Sequence, residues 1–192
     1  MRIVLSYPNF QFILYSYIVV ISAFNKAPSY IQALMTVTLT INDLTRELDL
    51  DPGTRLIFVL RDEFALNGAK LGCGLEQCGA CVVLVDGQPT YSCTKPIGEL
   101  AGKHIETVEG LVDDDGHLHA IQDAFLELNA AQCGYCTAGL IMRVKALLSD
   151  NPKPSRAEIC AALDGHLCRC GAHPRIIDAV ASAAAKLRVR ER

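Results

Sequence analysis

Eight of the nine cysteines in this 192-residue chain fall into two sets. Cys73, Cys78, Cys81 and Cys93 form a C-x4-C-x2-C run followed by a lone fourth thiol; a CxxC at Cys133 and Cys136 is matched by a CxC at Cys168 and Cys170. Four soft thiolates gathered in one pocket suit either an iron–sulfur cluster or a structural zinc ion. Zinc sites more often combine two CxxC-like pairs. The first set instead has a four-residue gap and a solitary last ligand, the ligand order of a plant-type [2Fe–2S] centre. Two such sets in one small chain suggest an electron relay rather than a catalyst.

The stretch Gly68–Cys81 (GAKLGCGLEQCGAC) holds three of these thiols among four glycines. Such a loop can wrap a cluster with its amides aimed at sulfur, and hydrogen bonds to sulfur stabilise the reduced state. In the second set each pair precedes a helix, whose unsatisfied amides and positive dipole end favour thiolate and an anionic cluster. A lone CxxC could be a redox dithiol or half a zinc site, and the distant CxC turns it into a four-ligand set. The histidine and cysteine pairs of a Rieske centre are absent, so His166 and His173 are not read as ligands. His173 reads as a cap or surface residue and His166 as a packing or hydrogen-bonding group. Cys160, inside a helical pattern, reads as a small buried apolar residue.

The elements that must position these thiols are legible from periodicity. MTVTLTI and TRELDL alternate with period two around Asn42-Asp43, predicting a hairpin over residues 35–50. Thr54 is a candidate cap for a helix through Phe64 carrying Leu56, Ile57, Val59 and Leu60 inward. CVVLVDG and PTYSC read as a second hairpin turning at Asp86-Gly87, and Ile105–Val108 as one more strand. Beyond a polar linker, Asp113–Gly116, the period becomes helical. Helices are expected over residues 119–129 and 137–148, from a Ser155/Glu158 capping box, and from Pro174 through Lys186.

A formal charge of -3 and the lack of basic runs or exposed aromatic series argue against nucleic-acid binding. A hydrophobic fraction of 51% and an odd cysteine count argue against a disulfide scaffold. Residues 1–34 form a hydrophobic extension unlike the rest. Its apolar run Phe10–Phe24 is short for a membrane span of about 20 residues. Positive charge before the run comes only from Arg2, and there is no twin-arginine pair. The expectation is a mis-called translation start with Met35 as the natural first residue, no membrane association and a cytoplasmic protein.

From Met35 to Lys186 the chain resembles the small iron–sulfur subunit of the molybdenum hydroxylases, the xanthine oxidase and aldehyde oxidase family. The resemblance is carried by LGCGLEQCGACVVLVDG, AAQCGYCTAGLI and GHLCRCGAHPRI. It implies an α+β chain: an N-terminal plant-type ferredoxin-like (beta-grasp) domain over residues 35–112, then a four-helix [2Fe–2S]-binding domain over residues 117–188. It implies that Cys73, Cys78, Cys81 and Cys93 hold the cluster farther from molybdenum, and Cys133, Cys136, Cys168 and Cys170 the nearer one. Gln132 matches the family's contact to the pterin of a molybdopterin cofactor held by a large partner subunit, with Cys133 and Gly134 close by. The implied function is electron relay from that subunit to a flavin-binding or cytochrome acceptor subunit, with no substrate-converting site on this chain. The CRCGAHPRI ending most resembles bacterial nicotinate, isoquinoline and aldehyde dehydrogenase subunits, implying an N-heteroaromatic or aldehyde substrate. Two other functions fit parts of the pattern. One is a freestanding ferredoxin-like shuttle, which leaves the second half unexplained; the other is a zinc-binding interaction module.

Overall fold

Alternation in the first strand decides its faces. β1 (Met35–Ile41) buries Val37, Leu39 and Ile41 and leaves Thr36 exposed, as a period of two requires. It pairs antiparallel with β2 (Leu44–Leu50) across Asn42 and Asp43, whose φ values of 47° and 65° suit a two-residue type I′ turn. β3 (Val82–Val85) and β4 (Gln88–Tyr91) repeat the device across Asp86 and Gly87, at φ 50° and 78°. β5 (His104–Glu106) joins the hairpins, parallel to β1 and antiparallel to β3, in the sheet order β2-β1-β5-β3-β4. The computed structural model describes residues 35–113 and 115–190; the hydrophobic extension over residues 1–34 lies outside them. No helix among the described residues is long and apolar enough to cross a membrane.

The first helix differs from expectation at both ends. α1 spans Leu56–Asp62 with Arg55 as its N-cap and no side-chain capping bond, so Thr54 is not the cap and the helix stops short of Phe64. Its opening amides are satisfied from a distance: Leu56 N–H donates to the Lys95 carbonyl (2.8 Å) and Ile57 N–H to the Ser92 carbonyl (3.0 Å). Thr54 itself gives its carbonyl to Ile97 N–H at 2.9 Å. The segment after β4 therefore caps α1, and this fixes Cys93 against the helix. Two 3₁₀ turns, Ile97–Leu100 and Val108–Leu111, are not foreshadowed by periodicity.

Four further helices follow: α2 (Ala120–Glu127), α3 (Thr137–Asp150), α4 (Arg156–Leu163) and α5 (His173–Arg190). The expected capping box opens α4: Ser155 N–H donates to Glu158 Oε2 at 2.7 Å, and Glu158 N–H donates to Ser155 Oγ at 3.3 Å. α2 has an unexpected one, with Ile121 N–H donating to His119 Nδ1 at 3.3 Å and His119 N–H to Gln122 Oε1 at 2.9 Å. α5 begins one residue before Pro174, which sits in its first turn.

β3 is buried on both faces. Val83 and Val85 join Leu39, Leu56, Leu60 and Ile105 in one apolar core; Val82 and Leu84 join Ile121, Leu140, Val144, Ile159 and Val180 in another. Helix α3 lies over the second face, and its Lys145 pairs with Glu106 of β5. One four-residue strand is thus the wall between the two apolar cores.

Candidate metal centres

The first thiol set is built by the loop between α1 and β3 together with the segment that caps α1. Cys81 and Cys93 are buried, Cys78 is half-buried and Cys73 is exposed. Backbone amides converge on Cys73 Sγ: Leu75 N–H and Gln77 N–H each donate to it at 3.3 Å. Cys73 N–H donates in turn to Cys78 Sγ at 3.4 Å. Led by the Leu75 amide, these bonds pull the Cys73 thiol down to about 7, although desolvation opposes them. Cys81 goes the other way: burial pushes it up to about 12, with the Cys93 thiol beside it. The Thr94 hydroxyl, next to Cys93, donates to Glu76 in the loop that carries Cys73 and Cys78.

The second set gathers where the starts of α3 and α5 meet. Cys136 is the N-cap of α3, and Cys168 and Cys170 lie just before α5. Cys133 faces Cys170 and Cys136 faces Cys168. The Tyr135 amide holds Cys133 below the usual thiol range, while burial pushes Cys136 up to about 12. Burial also works against Cys168, yet the amides of Ala172, Cys170 and Gly171 leave it lowered. Gln132, Cys133, Gly134 and Tyr135 form an exposed stretch. The Gln132 side chain does not cap α3, which has no side-chain cap.

Several contacts lace the two sets together, and sequence reasoning did not reach them. Leu167 N–H, one residue before Cys168, donates to the Cys78 carbonyl at 3.0 Å. The Tyr135 hydroxyl donates to the Leu71 carbonyl at 2.7 Å. α3 approaches so closely that a Cβ on Gly139 would fall 2.0 Å from the Gly79 carbonyl oxygen. The one signal for this was a glycine inside a helical pattern, which costs about 1 kcal/mol relative to alanine and so calls for a packing reason.

Among the described residues no group of three or more His, Cys, Asp and Glu side chains is arranged to hold a metal ion; the thiols of each set nonetheless lie near one another, Cys81 beside Cys93 and Cys78, and Cys136 beside Cys168 and Cys133. Four cysteine thiolates per site are the donor set that a [2Fe–2S] cluster would need. The cradle also fits. Amides already point at Cys73 sulfur, and a Cβ on Gly72 would fall 2.7 Å from Cys78 Sγ, so the backbone reaches the thiols where a side chain could not. Cys160, expected to be buried, is exposed: α4 buries only Ile159, and the next position is turned by about 100°. His173 is exposed as expected. His166 is buried, and burial together with the nearby Arg143 charge lowers it to about 4, which keeps the ring neutral.

A mixed sheet with one four-thiol set, followed by a helical bundle with another, defines a chain of two tandem iron–sulfur domains. Family models match in the same order: a 2Fe-2S iron-sulfur cluster binding domain matches residues 39–112 and a [2Fe-2S] binding domain matches residues 107–181. The small FeS subunit of nicotinate dehydrogenase from Eubacterium barkeri is 42% identical over 76% of this chain and 92% of its own length. The aldehyde oxidoreductase iron-sulfur-binding subunit PaoA of Escherichia coli is 36% identical over 81% of this chain and 74% of its own. The solved quinoline 2-oxidoreductase of Pseudomonas putida 86 superposes with a TM-score of 0.77 at 40% identity, covering 81% of this chain and 97% of that one. The aldehyde oxidoreductase of Desulfovibrio desulfuricans gives a TM-score of 0.75 at 40% identity over 80% of this chain but 17% of that longer one. The chain belongs to the small iron–sulfur subunits of the molybdenum hydroxylase family, which carry electrons within molybdopterin-dependent hydroxylase and dehydrogenase complexes.

Proposed function

We propose that Cys73, Cys78, Cys81 and Cys93 ligate one [2Fe–2S] cluster in a ferredoxin-like domain over residues 35–112, and that Cys133, Cys136, Cys168 and Cys170 ligate a second in a four-helix domain over residues 117–188. When bound, the two clusters supply one-electron carriage. The observation that carries the reading is the bond from Leu167 N–H to the Cys78 carbonyl at 3.0 Å. It joins a ligand of one set to the neighbour of a ligand of the other, so the path between sites runs through covalent bonds and one short hydrogen bond. In this reading the Gln132 amide, with Cys133 and Gly134 beside it, meets a molybdopterin cofactor in a large partner subunit, where it can both donate to and accept from the pterin; the exposure of residues 132–134 supports it. The second set is then the entry point and the first the exit, toward a flavin-binding or cytochrome acceptor subunit. The names of the relatives, nicotinate, quinoline and aldehyde enzymes, support an N-heteroaromatic or aldehyde substrate for the assembled complex. Cytoplasmic placement is part of the same reading.

Anaerobically purified protein is expected to contain about four iron and four acid-labile sulfide atoms per chain, two per cluster, and to show two distinct EPR signals on reduction. Stoichiometric zinc, or a single signal at full iron occupancy, would sink the reading. For the cofactor contact, Gln132→Leu in the assembled complex should leave both clusters loaded and slow reduction of the second, by an amount equivalent to about 1–3 kcal/mol for a buried bond left unmade. A wild-type rate in stopped-flow reduction would remove Gln132 from the role.

A further inference from the structure

His166 belongs by sequence to the second thiol set, two residues before Cys168, yet its ring lies against the first. The residue is 6% exposed. A Cβ built on Gly79 would lie 2.2 Å from His166 Nδ1, 2.6 Å from its Cγ and 2.7 Å from its Cε1. The imidazole therefore occupies the space a side chain at position 79 would take. Gly79 sits between Cys78 and Cys81 at φ 73°, a conformation that itself favours glycine. On another side Gly79 meets Gly139 of α3, through the carbonyl contact described above. The turn bearing two thiols is held between an imidazole and a helix, both supplied by the second half of the chain.

The backbone that carries the ring is anchored on both sides. His166 N–H donates to the Leu163 carbonyl at 2.9 Å, and the adjacent Leu167 N–H donates to the Cys78 carbonyl at 3.0 Å. His166 Nδ1 is buried and has no hydrogen-bond partner among the described residues. An apolar side chain would fill the same space without leaving a buried nitrogen unsatisfied. Shape alone therefore gives no reason for histidine, and the unmatched nitrogen borders the loop of the first set.

We propose that His166 is a positioning residue of the first cluster: from the second half of the chain it seats the Cys78–Cys81 turn, and its Nδ1 sets the polarity beside that cluster. The inference rests on the reading of Cys78 and Cys81 as ligands. It reverses what chain position suggests, since His166 lies closer in sequence to the ligands of the second cluster.

The test uses the full chain loaded with iron and sulfide, with EPR spectra and redox titration of both signals, assigned by loss of one signal in Cys78→Ala. His166→Leu keeps apolar volume but removes the nitrogen; it should shift the g values and midpoint potential of the first signal and leave the second where it was. His166→Asn returns a polar atom near Nδ1 and should restore the first signal toward wild type. His166→Gln puts its amide near the Nε2 position instead and should not restore it. If the Leu variant fails to fold, the Asn and Gln variants decide. Identical first signals in those two, or a second signal that moves while the first stays, would overturn the role. Wild-type protein lacking one of the two signals would defeat the cluster assignment itself, and this inference with it. Two normal wild-type signals with the first unmoved by every variant would defeat this inference alone.

Discussion

Within each set the thiols sit in unequal surroundings, and that inequality is measurable. Cys73 is exposed and lowered to about 7, first by the Leu75 amide; Cys81 is buried and raised to about 12. In protein stripped of iron under reducing, anaerobic conditions at about pH 7.5, Cys73 should be alkylated well ahead of Cys81, because thiolate is the nucleophile. Peptide mass spectrometry would read the order, and equal rates would mean that the pocket does not persist without metal. Stability of the stripped protein follows by linkage. The lowered Cys73 adds stability as pH rises from about 7 toward the ordinary thiol value of 9.0. The raised Cys81 and Cys136 favour the folded, protonated form, and their contribution is lost as pH climbs from 9.0 through about 12. Urea midpoints should therefore pass through a maximum near pH 9, and a monotonic rise to pH 11 would contradict the buried thiols. If Cys81 and Cys136 ligate iron as proposed, loading it expels their protons and should release acid.

At the scale of elements, the decisive piece is α3, because it closes over the first loop at Gly139 and over β3 beside it. Gly139→Ala would ordinarily stabilise a helix by about 1 kcal/mol. Here the new Cβ would meet the Gly79 carbonyl oxygen at 2.0 Å and the Gly79 carbonyl carbon at 3.0 Å, backbone atoms that cannot swing aside. The variant should lose about 1–3 kcal/mol by overpacking and part of its iron from the first site. Iron per chain and a urea midpoint would check it; wild-type iron with raised stability would show that the approach is looser than the structure has it.

For the whole molecule, the two thiol-bearing halves are joined by a strand with two interior faces. A chain ending at residue 112 would present Val82 and Leu84 to water in place of Ile121, Leu140 and Val144, and would lose the partner of Glu106. It would also lose His166 from beside Gly79. Such a fragment, starting at Met35, is expected to aggregate or to hold less iron than residues 35–192, as measured by size-exclusion chromatography and iron analysis. A monomeric fragment with a full cluster would show that the first half stands alone.

Much of this was legible in the residues themselves, for local reasons. Thiol spacing is covalent, so the two groups of four cysteines stand out along the chain itself. Alternation in MTVTLTI, the Asn42-Asp43 and Asp86-Gly87 turns and the Ser155/Glu158 box each depend on neighbours within a few positions, and each appears as read. What the tertiary structure alone decided involves partners far apart in the chain. The cap of α1 comes from the carbonyls of Ser92 and Lys95, which Thr54 could not foretell. Cys160 lies outside because α4 is short and turns only Ile159 inward. VVLV could be read as a strand, but not as a wall between two cores, since a continuous apolar run does not say what covers each face. His166 reaches Gly79 across 87 residues of sequence separation, as counted along the chain. Which residues carry thiols, and at what spacing, is a property of sequence, whereas the joining of the two thiol sets is a property of packing.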